Sequence, residues 1–185
     1  MIKRLNIFFP LTFLLLIQGC SGSLSSIYDS GYPLSDESAK SKSSQLTVKV
    51  PLDWFVAENN ENNSVDLWLV NSDYSATLNF VPLNIDSATI KSVHGDELNR
   101  IVKFSQIFRK ARFGKTMNEF IHQEVFEMNG RQFSAYEYAD DSKRAIRVVV
   151  FRAGNKYYEL SAIPFKSQNP LELYKIQNSV LSSIY

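Results

Sequence analysis

Residues 119–163 read EFIHQEVFEMNGRQFSAYEYADDSKRAIRVVVFRAGNKYYELSAI, and the punctuation of this stretch decides the fold. Four runs rich in β-branched and aromatic residues, 119–128, 131–138, 144–152 and 156–163, are separated by Asn129-Gly130, Asp140-Asp141-Ser142 and Gly154-Asn155. Asn-Gly is a strong hairpin signal because both central residues of a type I′ turn need positive φ. Strands joined by such short turns are antiparallel neighbours, so the stretch predicts a meander.

Working outward, Leu46-Thr47-Val48-Lys49-Val50 alternates apolar and polar before Pro51, and a second short run follows over 52–56. After a hydrophilic break at 58–63 come strand-like runs over 65–70 and 76–81, with a turn predicted over 71–74. From 96 to 113 the period changes to that of a helix. Ile101, Phe104, Ile107, Phe108 and Ala111 fall on one arc, with Lys103, Gln106 and Lys110 elsewhere. Ser92 or Asp96 is the expected cap and Gly114 the expected stop. Pro170 opens a final helix carrying Leu173, Ile176, Val180, Leu181 and Ile184 at helical spacing. Six or seven mostly hairpin-linked strands, one middle helix and one C-terminal helix make an α+β pattern in which helices cover an antiparallel sheet.

The chain has 185 residues, of which 44% are hydrophobic and 13% aromatic, enough for one domain with a real core. Lys and Arg number 20 against 19 Asp and Glu, a balance that gives no pull toward nucleic acid. The single cysteine, Cys20, excludes a disulfide framework.

The first twenty residues, MIKRLNIFFPLTFLLLIQGC, open on Lys3 and Arg4, continue through an apolar stretch from 7 to 17, and end in Gly19-Cys20. This is the n-region, h-region and cleavage-site pattern of a secretory signal, with an apolar run well short of the roughly 20 residues of a membrane span. Ile17-Gln18-Gly19-Cys20 resembles the lipobox of bacterial lipoproteins. The resemblance implies cleavage before Cys20, acylation of its thiol, and a lipid anchor in the cell envelope. Ser21 after the cysteine points, by Gram-negative sorting rules, to the outer membrane and a periplasm-facing domain. Removal of the leader leaves one more acidic than basic side chain. Residues 20–45, with ten serines among positions 21–45, read as a flexible tether of roughly 25 to 30 Å root-mean-square reach. Local packing of Ile27, Tyr32 and Leu34 on the domain is the alternative for part of it. The expected divisions are therefore a leader at 1–19, the lipidated tether at 20–45 and a domain at 46–185.

Across 46–185, the order of elements together with the stretches VPLDW at 50–54, GRQFSAY at 130–136, GNKYYEL at 154–160 and the closing helix resembles the PsbP-like superfamily, with DcrB-type bacterial lipoproteins as its nearest members. The resemblance implies an α/β/α sandwich with a central antiparallel sheet. It also implies mainly non-enzymatic proteins that assist membrane or photosynthetic complexes or bind a partner protein. It carries no family binding residue onto this chain.

Motifs for chemistry are sparse. His94 falls in a helix-start loop. His122 and Glu124 share a strand face at i and i+2, either as two metal ligands or, as favoured here, a solvent-facing or hydrogen-bonded pair. No Gly-x-Ser-x-Gly elbow or glycine-rich phosphate loop occurs, and Asp140-Asp141 reads as turn residues before it reads as paired carboxylates. No catalytic residue, metal or cofactor is expected. Two surface features remain. Arg100, Lys103 and Lys110 on the middle helix are first a solvated face, and otherwise a site for an acidic protein or anionic headgroups. Tyr136, Tyr138 and Tyr158, within an aromatic series that includes Phe151 and Tyr157, either line a ligand groove or belong to core and cross-strand pairs. The leading expectation is a membrane-anchored, non-enzymatic accessory lipoprotein with an envelope protein partner. A small-ligand carrier or sensor comes second, and a hydrolase of unrecognised type third.

Overall fold

The computed structural model describes residues 27–43, 46–58, 65–86, 88, 97–113, 119–167 and 169–185. Cys20, His94, Ser92, Asp96 and Gly114 lie outside them. The strands are β1 (Leu34–Lys40), β2 (Thr47–Pro51), β3 (Trp54–Val56), β4 (Leu67–Asn71), β5 (Ala76–Leu83), β6 (Ile121–Met128), β7 (Arg131–Ala139), β8 (Ala145–Ala153) and β9 (Lys156–Pro164). The described helices are α1 (Glu97–Phe113) and α2 (Pro170–Ser182).

The β6–β9 meander forms as its turns predict. Asn129 and Gly130 adopt φ of 52° and 72°, the left-handed pair that a tight hairpin demands. The upstream hairpin β4–β5 turns at Tyr74, whose N–H donates to the Asn71 carbonyl (2.8 Å). The two halves join through the last strand of each, β5 and β9. β9 pairs antiparallel with β5 from Leu83↔Tyr157 to Ala76↔Pro164, giving the order β3-β4-β5-β9-β8-β7-β6 in one seven-stranded sheet.

Strict alternation then sorts side chains to two faces. Leu78, Phe80, Phe133, Ala135, Val149, Phe151, Tyr158 and Leu160 meet Leu173, Ile176, Val180 and Leu181 of α2. On the other face Tyr136, Tyr138, Ile146, Val148, Val150 and Tyr157 meet Ile101 and Val102 of α1. The result is the expected α+β sandwich with one helix layer on each side of an antiparallel sheet. α2 starts where Pro170 predicts, capped by Asn169, whose side chain accepts from the Leu171 N–H (3.0 Å).

Two expectations need correction. The tether was expected to run to Gln45, yet Leu34–Lys40 is a strand paired with β2 in a separate two-stranded sheet. Its serine-rich composition hides the fit: Ala39 is buried beside Val48 and Val50, and Ser35 Oγ donates to the Val50 carbonyl (2.9 Å). Residues preceding β1 are clamped as well, with the Tyr32 N–H donating to Ser179 Oγ (2.9 Å) and Asn178 Nδ2 to the Ile27 carbonyl (2.7 Å). Packing therefore begins by Ile27, not at Leu46.

The second correction concerns the buried arc of α1. Ile101 is buried, but Ile107 and Phe108 are 60% and 54% exposed, and Ala111 is exposed too. The face on the sheet runs instead through Leu98, Ile101, Val102, Ser105 and Arg109. Phe104 of the predicted arc also packs on the sheet side, so the helix presents an apolar strip together with the polar Ser105 and Arg109.

Candidate functional site

The face of the sheet under α1 carries polar groups where a purely structural core would carry aliphatic ones. Alternation along β9 points Tyr157, Glu159, Ser161 and Ile163 to this side, and along β7 Ser134, Tyr136 and Tyr138. Arg109 reaches down from α1 into their midst. Its Nη2 pairs with the Glu159 carboxylate and donates to Ser161 Oγ (2.8 Å), its Nε donates to the Tyr136 hydroxyl (2.8 Å), and its Nη1 to the Tyr138 hydroxyl (3.0 Å). Tyr136 also shares a 2.5 Å hydrogen bond with Ser105 Oγ. Phe120 stands edge-on against Tyr136 at 5.1 Å and Tyr138 at 6.4 Å, which closes one flank.

Burial is the largest influence on Arg109 and opposes its charge, but Glu159, Tyr136 and Tyr138 together outweigh it, so the guanidinium is held protonated even more firmly than usual. Burial pushes the Tyr136 hydroxyl well above its ordinary value of 10.0 and raises that of Tyr138 too, with Arg109 pulling partly the other way. These groups are thus fixed in one protonation state near neutrality. Four of the five guanidinium N–H directions are used inside the protein, leaving little for a substrate.

Beside this network opens a cleft of about 510 Å³. Val81, Leu83, Phe108 and Ile163 supply apolar walls, and Arg109, Arg112, Tyr138, Glu159 and Asn79 the polar ones. Its size and mixture suit a small, largely apolar ligand with one polar end.

A second buried charge lies on the opposite face. Arg147, 1% exposed, is sandwiched between the rings of Phe126 and Tyr174, each 5.3 Å from its guanidinium carbon. Its Nη1 donates to Asn178 Oδ1 (2.8 Å) and Gln177 Oε1 (3.1 Å), and its Nη2 to Glu124 Oε1 (3.1 Å). The Tyr28 hydroxyl donates to the other Glu124 oxygen (2.7 Å), tying the segment before β1 to this cluster.

Of the residues singled out from sequence, Arg100, Lys103 and Lys110 lie exposed on α1. Lys110 Nζ sits 5.3 Å over the Phe120 ring. The tyrosines divide. Tyr138 lines the cleft, Tyr136 is sealed beneath α1, and Tyr158 points to the α2 face, stacked on Phe151 at 5.9 Å. A groove formed by all three is therefore corrected, because Tyr158 has the opposite parity along its strand. His122 and Glu124 do not act as a pair: the β6–β7 register shifts between Ile121 and Glu124, leaving His122 Nδ1 3.4 Å from Glu137 and Glu124 on Arg147. Among the described residues, no group of three or more His, Cys, Asp or Glu could hold a metal ion. Asp140 organises its turn, accepting from the backbone of Ser142 and Arg144.

Sequence reading passed over Arg109 as a ligand of the sheet, and over Arg147 and Glu159 altogether. The available signal was a charged residue inside an otherwise apolar strand, Arg147 between Ile146 and Val148, and Glu159 between Tyr158 and Leu160.

No protein-family model and no curated protein sequence matches the chain. Among solved structures it is similar to cyanobacterial PsbP (CyanoP) from Synechocystis sp. PCC 6803, with a TM-score of 0.57 over 80% of this chain and 91% of that one. The fold is PsbP-like. At 16% identity the likeness is one of fold alone. A Bacteroides thetaiotaomicron protein of known structure aligns with 76% of this chain and 44% of its own, at 12% identity and a TM-score of 0.36. The two buried arginines described above lie on opposite faces of the PsbP-like sheet.

Proposed function

We propose that this chain is a lipid-anchored envelope protein, of the DcrB type within the PsbP-like group, whose domain is a non-catalytic accessory module that docks on a protein partner through the outer side of α1. The observation that carries the docking reading is the outward display of Ile107 and Phe108, more than half exposed, on the same helix as the exposed Lys103 and Lys110. Apolar side chains ringed by cations fit a partner surface with an apolar centre and an acidic rim. The non-catalytic reading is supported by the two buried arginines, most of whose donors are engaged by internal acceptors. The anchor reading rests on Ile17-Gln18-Gly19-Cys20, and the outer membrane on Ser21.

The test is mass analysis of the mature N-terminus combined with crosslinking in native envelopes. Cys20 should carry acyl groups, and a specific protein should be captured by the native chain and lost with Ile107→Ser/Phe108→Ser. Capture unchanged by that double substitution rejects α1 as the docking element.

A second reading, a carrier or sensor of a small ligand, is favoured by the 510 Å³ cleft beside Arg109. An apolar fluorescent probe displaced from this cleft by envelope lipids or metabolites, and unable to bind Phe108→Asp protein, would support it over docking.

A further inference from the structure

The position at which the chain joins the domain defines which side of it faces the lipid. This inference rests on the anchor reading above. Ile27 is held on α2 by Asn178, and Asn178 Nδ2 also donates to the Asp29 carbonyl (3.2 Å), so Ile27 is fixed on the α2 face. Only six residues lie between Cys20 and Ile27, seven Cα-to-Cα steps in all. At 3.3–3.6 Å per residue they span at most about 25 Å even when fully extended. A domain of this size has a radius of gyration of about 15 Å and is roughly 40 Å across. The leash is shorter than the domain is wide, and the surface diametrically opposite Ile27 cannot be turned onto the bilayer.

The same pole carries apolar side chains. Ile27 and Leu171, 38% and 39% exposed, line one shallow hollow with Pro170, Ala145 and the buried Tyr174, while His122, Gln123, Glu124 and Glu137 form its polar side. Ile121, the chain neighbour of His122, is 49% exposed, and the ring of Tyr28, next to Ile27, lies on Phe126 at 5.3 Å. Aliphatic side chains with a tyrosine at their border are what an interfacial surface requires: the former enter the boundary of the acyl region while the latter sits at headgroup level.

We propose that the pole formed by Ile27, Tyr28, Ile121 and Leu171 rests on the bilayer surface, with α2 toward the lipid and α1 directed away from it. Arg100, Lys103 and Lys110 then face the aqueous side, which assigns them to a protein partner and not to the headgroups of the anchoring membrane.

The experiment uses the full mature protein, acylated on Cys20 and reconstituted in phosphatidylethanolamine–phosphatidylglycerol vesicles that carry a spin-labelled headgroup. Because Cys20 is the only cysteine and its thiol is consumed by lipid, single cysteines at Leu171, Ile121 or Lys103 can be labelled selectively with a fluorophore. Quenching at Leu171→Cys and Ile121→Cys is expected to exceed that at Lys103→Cys at least threefold. Equal quenching at all three positions, or stronger quenching at Lys103→Cys, overturns the orientation. So does a Leu171 label that is shielded from lipid and crosslinks to a protein in native envelopes. If mass analysis finds Cys20 without acyl groups, the anchor reading fails first and the orientation with it. Normal acylation with equal quenching removes only the orientation.

Discussion

Arg109 on α1 and Glu159 on β9 form an ion pair across the helix–sheet interface, with side chains only 13% and 7% exposed. Such a pair contributes little net stability over an apolar replacement, but removing one member strands a buried charge. Glu159→Leu should therefore destabilise the domain by about 3 kcal/mol, and Arg109→Leu/Glu159→Leu by clearly less than the two single changes combined. Urea unfolding of the three variants measures this. Additive losses would show that the pair is not coupled.

Two buried tyrosines should respond oppositely to loss of the hydroxyl. Tyr136 bonds Arg109 and Ser105, so Tyr136→Phe should cost about 1 to 2 kcal/mol. The Tyr158 hydroxyl is buried with no hydrogen-bond partner among the described residues, and Tyr158→Phe should be neutral or stabilising by up to about 1 kcal/mol. Thermal melts of both proteins separate the outcomes, and equal destabilisation contradicts the assignment of the two rings to different environments.

Stability should fall on the alkaline side. Burial raises the folded pKa of Tyr136 above 10.0, while the unfolded residue ionises near that ordinary value. Below pH 10 both states keep the proton and the group has no effect on the balance. Above it the unfolded state binds fewer protons, so stability drops by about 1.4 kcal/mol per pH unit for this residue until the folded pKa is reached. Unfolding curves between pH 9 and 11 should show the slope, and Tyr136→Phe should reduce it. An unchanged slope in that variant would place the titration elsewhere.

A protein starting at Leu46 should be much less stable than one starting at Ile27. The shorter chain loses β1, which covers Val48 and Val50, and the contacts of Ile27, Asp29 and Tyr32 with α2. Uncovering two valines and Ala39's partners costs about 3 kcal/mol, or a fall of about 10 °C in melting temperature for a domain of this length. Calorimetry of the two chains checks it. Equal melting temperatures would mean that β1 is a passive appendage.

Much of the fold is legible locally. The Asn129-Gly130 and Gly154-Asn155 turns, the alternation of β6 to β9 and the Pro170 start of α2 are set within a few residues, so reading along the chain recovers them. The rotation of α1 was misread because an arc is assigned by summing hydrophobicity. That sum counts Arg109 as outward and Ile107 as inward, whereas the ionic partner of Arg109 is fifty residues away on β9. β1 was missed for a related reason: short serine-rich strands gain their stability from the neighbours they meet, here β2, and not from their own composition. Of the tyrosines, parity along the strands already separates Tyr158 from Tyr136 and Tyr138, but only if the register of the whole meander is carried through.

By itself the sequence determined the antiparallel meander, the two helices and the lipobox-like stretch ending at Cys20, because turn chemistry, periodicity and leader patterning are encoded between near neighbours. Only the tertiary structure decided that β9 closes against β5, that Arg109 and Arg147 are interred on opposite faces of one sheet, and that Ile27 is already packed on the domain. Those outcomes depend on pairings between residues far apart in the chain, and a buried charge declares its place only when its partner is brought to it.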